Sequence, residues 1–117
     1  MMTKKIMIVD DEPDIRSTVK TILEKEGYVV VTAENGDDCL SKLDKEKPDL
    51  VLMDIMMPGT PVRLVVPKIK TKVAYLSVVR TTEAEKDNLL QSKNVVAFIQ
   101  KPFDIKELVR QVKKILA

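Results

Sequence analysis

The sequence contains no histidine and only one cysteine, Cys39, among its 117 residues. A lone cysteine cannot form an internal disulfide, and zinc sites built from cysteine and histidine ligands are excluded. These absences fit a reducing compartment, so we expect the chain to be cytoplasmic. No apolar run approaches the ~18 residues of a membrane span, and the run before Asp10 is too short for a signal peptide. We therefore expect no membrane partner.

An excess of charge of one sign is also lacking, since 20 basic and 18 acidic residues give a formal net charge of +2. Dedicated nucleic-acid-binding domains usually carry a basic stripe, and disordered tails are often strongly acidic. We therefore expect no nucleic-acid partner for this chain. With 44% hydrophobic residues, the chain can bury one ordinary core but not two. A single domain over residues 1–117 is expected.

Five short apolar runs, rich in β-branched residues, alternate with helical patterns along the chain. In order they read IMIV, YVVVTA, DLVLMDI, VAYLS and VAFIQ. Strands of this kind, separated by helices, predict a parallel sheet with helices on both faces. The carboxyl ends of such strands meet at one edge of the sheet, which is where a site is expected.

Start and stop signals mark the helices between these strands. Pro13 suits a first helical turn, and Gly27 supplies a C-terminal stop. A second helix is predicted from about 37 to 45, before a proline blocks it. A terminal helix is predicted to open with Asp104 and Glu107 as a capping box.

Polar side chains follow four of the predicted strands: Asp10 and Asp11, then Asp54, Ser77 and Lys101. Each has an ordinary explanation by itself, as a solvated loop, a turn residue, a core hydroxyl or an exposed lysine. Their coincidence at matching strand ends favours phosphoryl chemistry instead. Three carboxylates gathered at one edge repel strongly unless a hard cation lies among them, and Mg²⁺ prefers oxygen ligands.

These residues resemble the receiver domains of two-component response regulators, of the small chemotaxis-regulator type. The resemblance runs from KIMIVDDEPDIR through PDLVLMDIMMPG and VAYLS to AFIQKPFDIKELV, which is the whole chain. It implies an α/β, flavodoxin-like fold, doubly wound around a five-stranded parallel sheet in the order 2-1-3-4-5.

The resemblance also implies a metal-dependent phosphorylation site. Asp54 becomes the phosphoacceptor, Asp11 a direct ligand of Mg²⁺, and Asp10 a ligand mainly through water. Met56 would contribute its main-chain carbonyl to the metal, and Mn²⁺ could replace Mg²⁺. The chain would catalyse only its own phosphorylation and dephosphorylation.

Three further residues take switch roles by the same resemblance. Ser77 matches the switch hydroxyl, Lys101 pairs with the phosphoryl group, and Phe98 is the aromatic residue of the fifth strand. The implied partners are a histidine kinase and an unknown downstream protein. That protein would bind the surface made by residues 82–93, the fifth strand and the terminal helix.

The region after Asp54 departs from the family pattern. Val62 stands where family members usually have a glycine, and Gly59 is expected to supply the flexibility instead. Pro61 could begin a helix after a Thr60 cap, but Pro67 would break it at a cost of ~3 kcal/mol or more. The third helix is therefore predicted to be short or broken.

Two other functions remain open from the sequence. One is a receiver-like interaction module that acts without phosphorylation, for which the altered third helix leaves room. The other is a phosphatase with an aspartyl intermediate. The haloacid-dehalogenase pattern, however, needs two aspartates with one residue between them, whereas Asp10 and Asp11 are directly adjacent. We expect either a stand-alone receiver or a domain from a longer protein.

Overall fold

A computed structural model of the protein describes residues 3–55, 59–77, 93–100 and 104–117, without the side chains of Ser77 and Gln100. Five parallel strands form one sheet in the order β2-β1-β3-β4-β5. Their bounds are β1 (Lys5–Val9), β2 (Val29–Ala33), β3 (Leu50–Asp54), β4 (Lys72–Ser77) and β5 (Val95–Gln100). This order confirms the predicted doubly wound α/β fold.

Four helices in the described ranges pack on the sheet: α1 (Pro13–Lys25), α2 (Gly36–Glu46), α3 (Val62–Val65) and α4 (Ile105–Ile115). A 3₁₀ turn, Val66–Lys68, follows α3 directly. Helices α1 and α4 pack on one face of the sheet, whereas α2 and α3 pack on the other. None of the helices in these ranges is long and apolar enough to cross a membrane.

Alternation along the strands divides the core between the two faces. In β1, Ile6 and Ile8 belong to the core beneath α1 and α4, while Met7 and Val9 belong to the core beneath α2 and α3. Successive side chains of a strand point to opposite faces, so a strand buried on both sides is apolar throughout. This explains why the predicted strands are continuous apolar runs rather than alternating ones.

The third helix is short, as predicted, because Pro67 interrupts it. Four residues of α-helix give way to a 3₁₀ turn that contains this proline. The Asn94 side chain then donates hydrogen bonds from Nδ2 to the carbonyls of Val66 (3.1 Å) and Ile69 (2.8 Å). An amide from the start of β5 thus satisfies carbonyls at the end of the broken helix.

Other local predictions were wrong in detail. Pro61, not Thr60, is the N-cap of α3, and no side chain caps this helix. Asp104 does cap α4, because its carboxylate accepts the Lys106 N–H at 3.0 Å. The Glu107 carboxylate, however, accepts hydrogen bonds from the Arg110 and Gln111 side chains and does not close a capping box. Neither difference changes where a strand ends, so the predicted position of the site at the carboxyl edge of the sheet is unaffected.

Asn94 and Ile105 also differ from expectation. Asparagine often takes a left-handed conformation where a helix ends, yet Lys47 and not Asn94 is the only non-glycine residue with positive φ in the described ranges. Ile105 has the helical spacing of the apolar residues in α4, since it lies three positions before Leu108, but it is 57% exposed. As the first residue of α4, it lies before the turn that reaches the core.

A bulge in β5 brings its aromatic residue onto the α2 and α3 face. Val73 pairs with Val95, but Ala74 pairs with Ala97, so Val96 is the extra residue. The bulge places Val95 and Phe98 on the same face although three positions separate them. Phe98 therefore lies opposite Tyr75 in β4.

We predict that Gly36→Ala destabilises the fold through its contact with α3. A Cβ atom at position 36 would lie 2.7 Å from Val65 Cγ2. Overpacking of this kind costs about 1–3 kcal/mol, and a branched side chain has little freedom to move away. Urea unfolding of the variant should show a lower free energy of unfolding.

Val65→Ala provides the matched background for this measurement. In Val65→Ala protein, adding Gly36→Ala should cost much less, because the clashing methyl groups are gone. An equal cost in both backgrounds would show that α3 does not pack against the start of α2 as described.

Candidate phosphorylation and metal site

Three carboxylates meet at the carboxyl edge of the sheet. One carboxylate oxygen each from Asp10, Asp11 and Asp54 lies within 4.8 Å of the other two. Asp10 is fully buried and Asp54 is 5% exposed, while Asp11 is exposed to solvent. Two of the three charges are therefore carried by side chains that water hardly reaches.

Parallel register produces this meeting. Val9, the last residue of β1, pairs with Met53 of β3, so Asp10 and Asp54 follow at adjacent positions. Asp54 itself pairs with Leu76 of β4, and Ser77 is one residue further on. Strands that run in the same direction deliver their final residues to one edge, as the sequence predicted.

Hydrogen bonds around Asp10 fix the turn after β1. Its backbone N–H donates to the Ala33 carbonyl at 3.2 Å, which extends the pairing with β2. Its Oδ1 accepts the Glu12 N–H at 2.9 Å, a local turn that aspartate favours. Because the side chain holds its own turn, the Asp10 carboxylate has a defined direction.

Arg16 is a residue at this site that the sequence reasoning missed. Its guanidinium donates from Nη1 to the Asp10 carbonyl at 2.7 Å. It lies one helical turn after Glu12, whose carbonyl accepts the Arg16 N–H at 3.1 Å. The signal in the sequence was the position of an arginine in the first turns of a helix that starts beside the acids.

The three carboxylates fit a hard divalent cation. Two oxygen ligands of one Mg²⁺ ion lie at most about 4.2 Å apart, so three oxygens within 4.8 Å of one another are close to the spacing that one ion needs. Three carboxylates gathered at one edge of the sheet repel one another, and a cation bound among them would offset that repulsion. Oxygen-only ligands suit Mg²⁺ or Mn²⁺ rather than a soft metal.

The other predicted site residues are placed only in part. Ser77 ends β4 beside Gln100, the last residue of β5, but the Ser77 side chain is outside the described atoms. Met56 and Lys101 lie outside the described residues. The structure therefore brings together the three acids and the backbone of Ser77, and their roles stay predictions.

Phe98 is half-buried against Tyr75. The two ring centroids lie 5.6 Å apart, with the planes tilted by 58°, a favourable aromatic arrangement. Tyr75 is fully buried, and this burial raises the pKa of its phenol to about 12. Phe98 cannot turn away without breaking a packed contact with a fixed neighbour.

The loop after Asp54 is tied to the start of α2. Thr60 Oγ1 donates to the Asp37 carboxylate, 3.0 Å from Oδ1 and 3.1 Å from Oδ2. Gly59 beside it has a φ of +96°, a conformation that favours glycine. Gly59 therefore adopts a backbone conformation that other residues rarely take, and its expected role in the flexibility of the loop stays a prediction.

Cys39, the single cysteine, takes no part in the chemistry of the acidic site. It belongs to α2, and its side chain is fully buried between this helix and the sheet. Burial, followed by the charge of Asp38, raises the pKa of the thiol to about 12. A thiol of this kind stays protonated at neutral pH and does not act as a nucleophile.

Comparison with known proteins decides the family of this site. The family model described as the response regulator receiver domain matches residues 6–113. The chain belongs to the response regulator receiver domain family. Membership accounts for the sheet order and for acids at the ends of β1 and β3.

Two curated relatives come from Bacillus subtilis (strain 168). The receiver domain is 39% identical over 119 residues to sporulation initiation phosphotransferase F, covering 99% of this chain and 96% of that protein. It is also 39% identical over 114 residues to transcriptional regulatory protein ResD, covering 96% of this chain. This chain spans about half of ResD, 48% of its length.

Solved structures include a related regulator with a bound metal. The response regulator protein TrrA from Thermotoga maritima, in complex with Mg²⁺ and BeF, superposes with a TM-score of 0.83. The two are 36% identical, and the alignment covers 97% of this chain and 99% of that one. A relative of the same fold is thus known with a magnesium ion.

Mg²⁺ binding is predicted to depend more on Asp11 than on Asp10. The Asp11 side chain is exposed and accepts no hydrogen bond from the residues that the structure describes, whereas Asp10 Oδ1 accepts the Glu12 N–H. Titration of Mg²⁺ or Mn²⁺ into Asp11→Ala should show weaker binding than into Asp10→Ala. A greater loss in Asp10→Ala would exchange the two roles.

Proposed function

We propose that the protein is a signalling switch that accepts a phosphoryl group on Asp54 from a histidine kinase, in a Mg²⁺-dependent reaction. Receiver domains act with histidine kinases and downstream effectors, and this chain belongs to their family. The observation that carries the proposal is the cluster of Asp10, Asp11 and Asp54, with the proposed acceptor at its buried end.

In the proposed transfer, a carboxylate oxygen of Asp54 forms a bond to phosphorus as the bond to the kinase's histidine nitrogen breaks. The electron pair of that bond stays on the imidazole nitrogen, and the product is an aspartyl phosphate. Water later attacks phosphorus, which releases inorganic phosphate and restores the carboxylate. The chain would therefore catalyse only its own phosphorylation and dephosphorylation.

Positioning and charge neutralisation are most of this catalysis, because an anion attacks an anion. The carboxylates of Asp10, Asp11 and Asp54, with the Met56 carbonyl, would hold Mg²⁺, which neutralises charge on the phosphoryl oxygens. Lys101 would place an ammonium beside another phosphoryl oxygen. Pairing of β3 with β4 fixes the backbone of Asp54, the proposed acceptor.

Phosphorylation would change shape through β4 and β5. Ser77 would donate a hydrogen bond to a phosphoryl oxygen, which draws in the loop that follows it. Space opened there lets Phe98 turn, at the cost of its present contact with Tyr75. Having no hydroxyl, Phe98 responds through packing alone. A downstream protein would read the surface of residues 82–93, β5 and α4.

We predict that acetyl phosphate labels a single carboxylate, Asp54, only when Mg²⁺ is present. Intact-mass analysis should show one added phosphoryl group on the wild type and none on Asp54→Asn. Chelation of Mg²⁺ should abolish the label, because the proposed Lys101 ammonium alone would leave most of the charge on the attacking and phosphoryl oxygens unneutralised. Equal labelling of both proteins would remove Asp54 from its proposed role. No label on either would favour an interaction module that acts without phosphorylation.

Hydrogen exchange should locate the surface that changes. With a beryllofluoride mimic on Asp54, we predict altered exchange in residues 78–98 and at α4, because the loop after Ser77 and Phe98 both rearrange. Asp54→Asn, treated identically, serves as the control. Changes confined to residues 58–70 would show that this protein signals through its broken third helix instead.

A further inference from the structure

One segment of the chain concentrates positive charge. From Ile55 to Thr82 there are five basic residues and no acidic one, although the whole chain has a net charge of only +2. The segment includes the broken third helix and the entry into β4. Its basic residues within the described ranges are Arg63, Lys68, Lys70 and Lys72.

Two of these lysines line a hollow of about 220 Å³ beside the end of α2. Lys68, Lys70 and Thr71 form one wall, and Asp44 and Lys47 belong to the other. These residues precede β3 and β4, so the hollow lies at the amino ends of the strands. We call it the amino-end hollow; it is on the opposite edge of the sheet from Asp54.

The cations of the amino-end hollow are available for a ligand. Lys47, Lys68 and Lys70 are all exposed, and none of them forms an ion pair within the described part of the chain. Two nearby acids are engaged elsewhere, because Glu46 pairs with the Lys5 ammonium at 3.9 Å and Asp49 accepts the Lys5 N–H at 2.8 Å. Asp44 is the one acid in the lining, against three lysines.

The backbone of both walls is held in place. Lys47 has a left-handed φ of 48°, and its N–H donates to the Leu43 carbonyl at 2.8 Å. On the other wall, Thr71 Oγ1 donates to the Asp49 carbonyl at 3.1 Å, and Asn94 holds the Ile69 carbonyl at 2.8 Å. Lysines on fixed backbones lose less conformational freedom when they bind.

Size and chemistry favour a protein ligand over nucleic acid. The hollow holds one or two side chains, and Leu43 and Pro48 add an apolar part to its lining. Asp44 repels any anion, but a peptide carries charge only on its acidic side chains and can donate backbone N–H groups to Asp44. A nucleic acid, in contrast, carries a phosphate at every nucleotide and offers no such donor in its backbone. A nucleic-acid site would need a longer basic stripe than these residues provide.

We propose that the amino-end hollow is a docking site for an acidic segment of a partner protein. A carboxylate of that segment would enter between the ammonium groups of Lys47, Lys68 and Lys70. The proposal does not depend on phosphorylation, because the hollow lies on the edge of the sheet away from Asp54. Binding should therefore be the same in wild type and in Asp54→Asn.

A ten-residue poly-L-glutamate peptide is the probe for this site. Titrated into the isotope-labelled protein, it should shift the backbone amide signals of residues 43–47 and 68–71. The variant Lys68→Glu/Lys70→Glu should lose at least about tenfold in affinity, because attraction becomes repulsion. Lys68→Gln/Lys70→Gln, which only removes the charges, should give a smaller loss.

Lys20→Glu/Lys106→Glu is the matched control. It makes the same change in net charge at exposed positions on α1 and α4, and should bind within about twofold of wild type. An equal loss in control and test variants, or amide shifts elsewhere, would overturn the proposal. Tighter binding of a ten-nucleotide oligo-dT, with shifts at the same amides, would also overturn it and make the hollow a nucleic-acid site.

Discussion

Parallel pairing of β3 between β1 and β4 is the constraint on which the site depends. It places Asp10 and Asp54 at adjacent positions and brings Ser77 to the same edge. A slip of one residue in β3 would turn its side chains to the opposite faces and remove Asp54 from the cluster. The apolar side chains of β3, buried on both faces, hold this register because any slip would expose or misplace them.

Charge repulsion at that edge is the cost of this arrangement. Two of the three carboxylates are buried, which proteins tolerate where a cation or hydrogen-bond donors compensate. The Glu12 N–H donates to the Asp10 carboxylate, and the Arg16 guanidinium donates to the Asp10 carbonyl. These two hydrogen bonds fix the turn that carries the acids. Local turn chemistry and the sheet together thus fix a group of acids that could hold a cation.

Charge is segregated between the two edges of the sheet. Acids gather where the strands end, while lysines that precede β3 and β4 surround the amino-end hollow. The small net charge of +2, a sum over 20 basic and 18 acidic residues, does not reveal where these groups lie. The broken third helix contributes to it, since Lys68 and Lys70 follow the turn that Pro67 imposes.

The sequence by itself determined the strands, their parallel sheet and the group of acids at one edge. Apolar runs and helix signals are local features of the sequence. The carboxyl ends of parallel strands must all lie at the same edge of the sheet. The tertiary structure alone decided the bulge at Val96, which sets Phe98 against Tyr75, and the Asn94 bonds to the broken helix. It likewise decided that Ile105 stays exposed and that Arg16 reaches the Asp10 carbonyl. These features depend on contacts between residues far apart in the chain or on the exact phase of a helix, which periodicity does not specify.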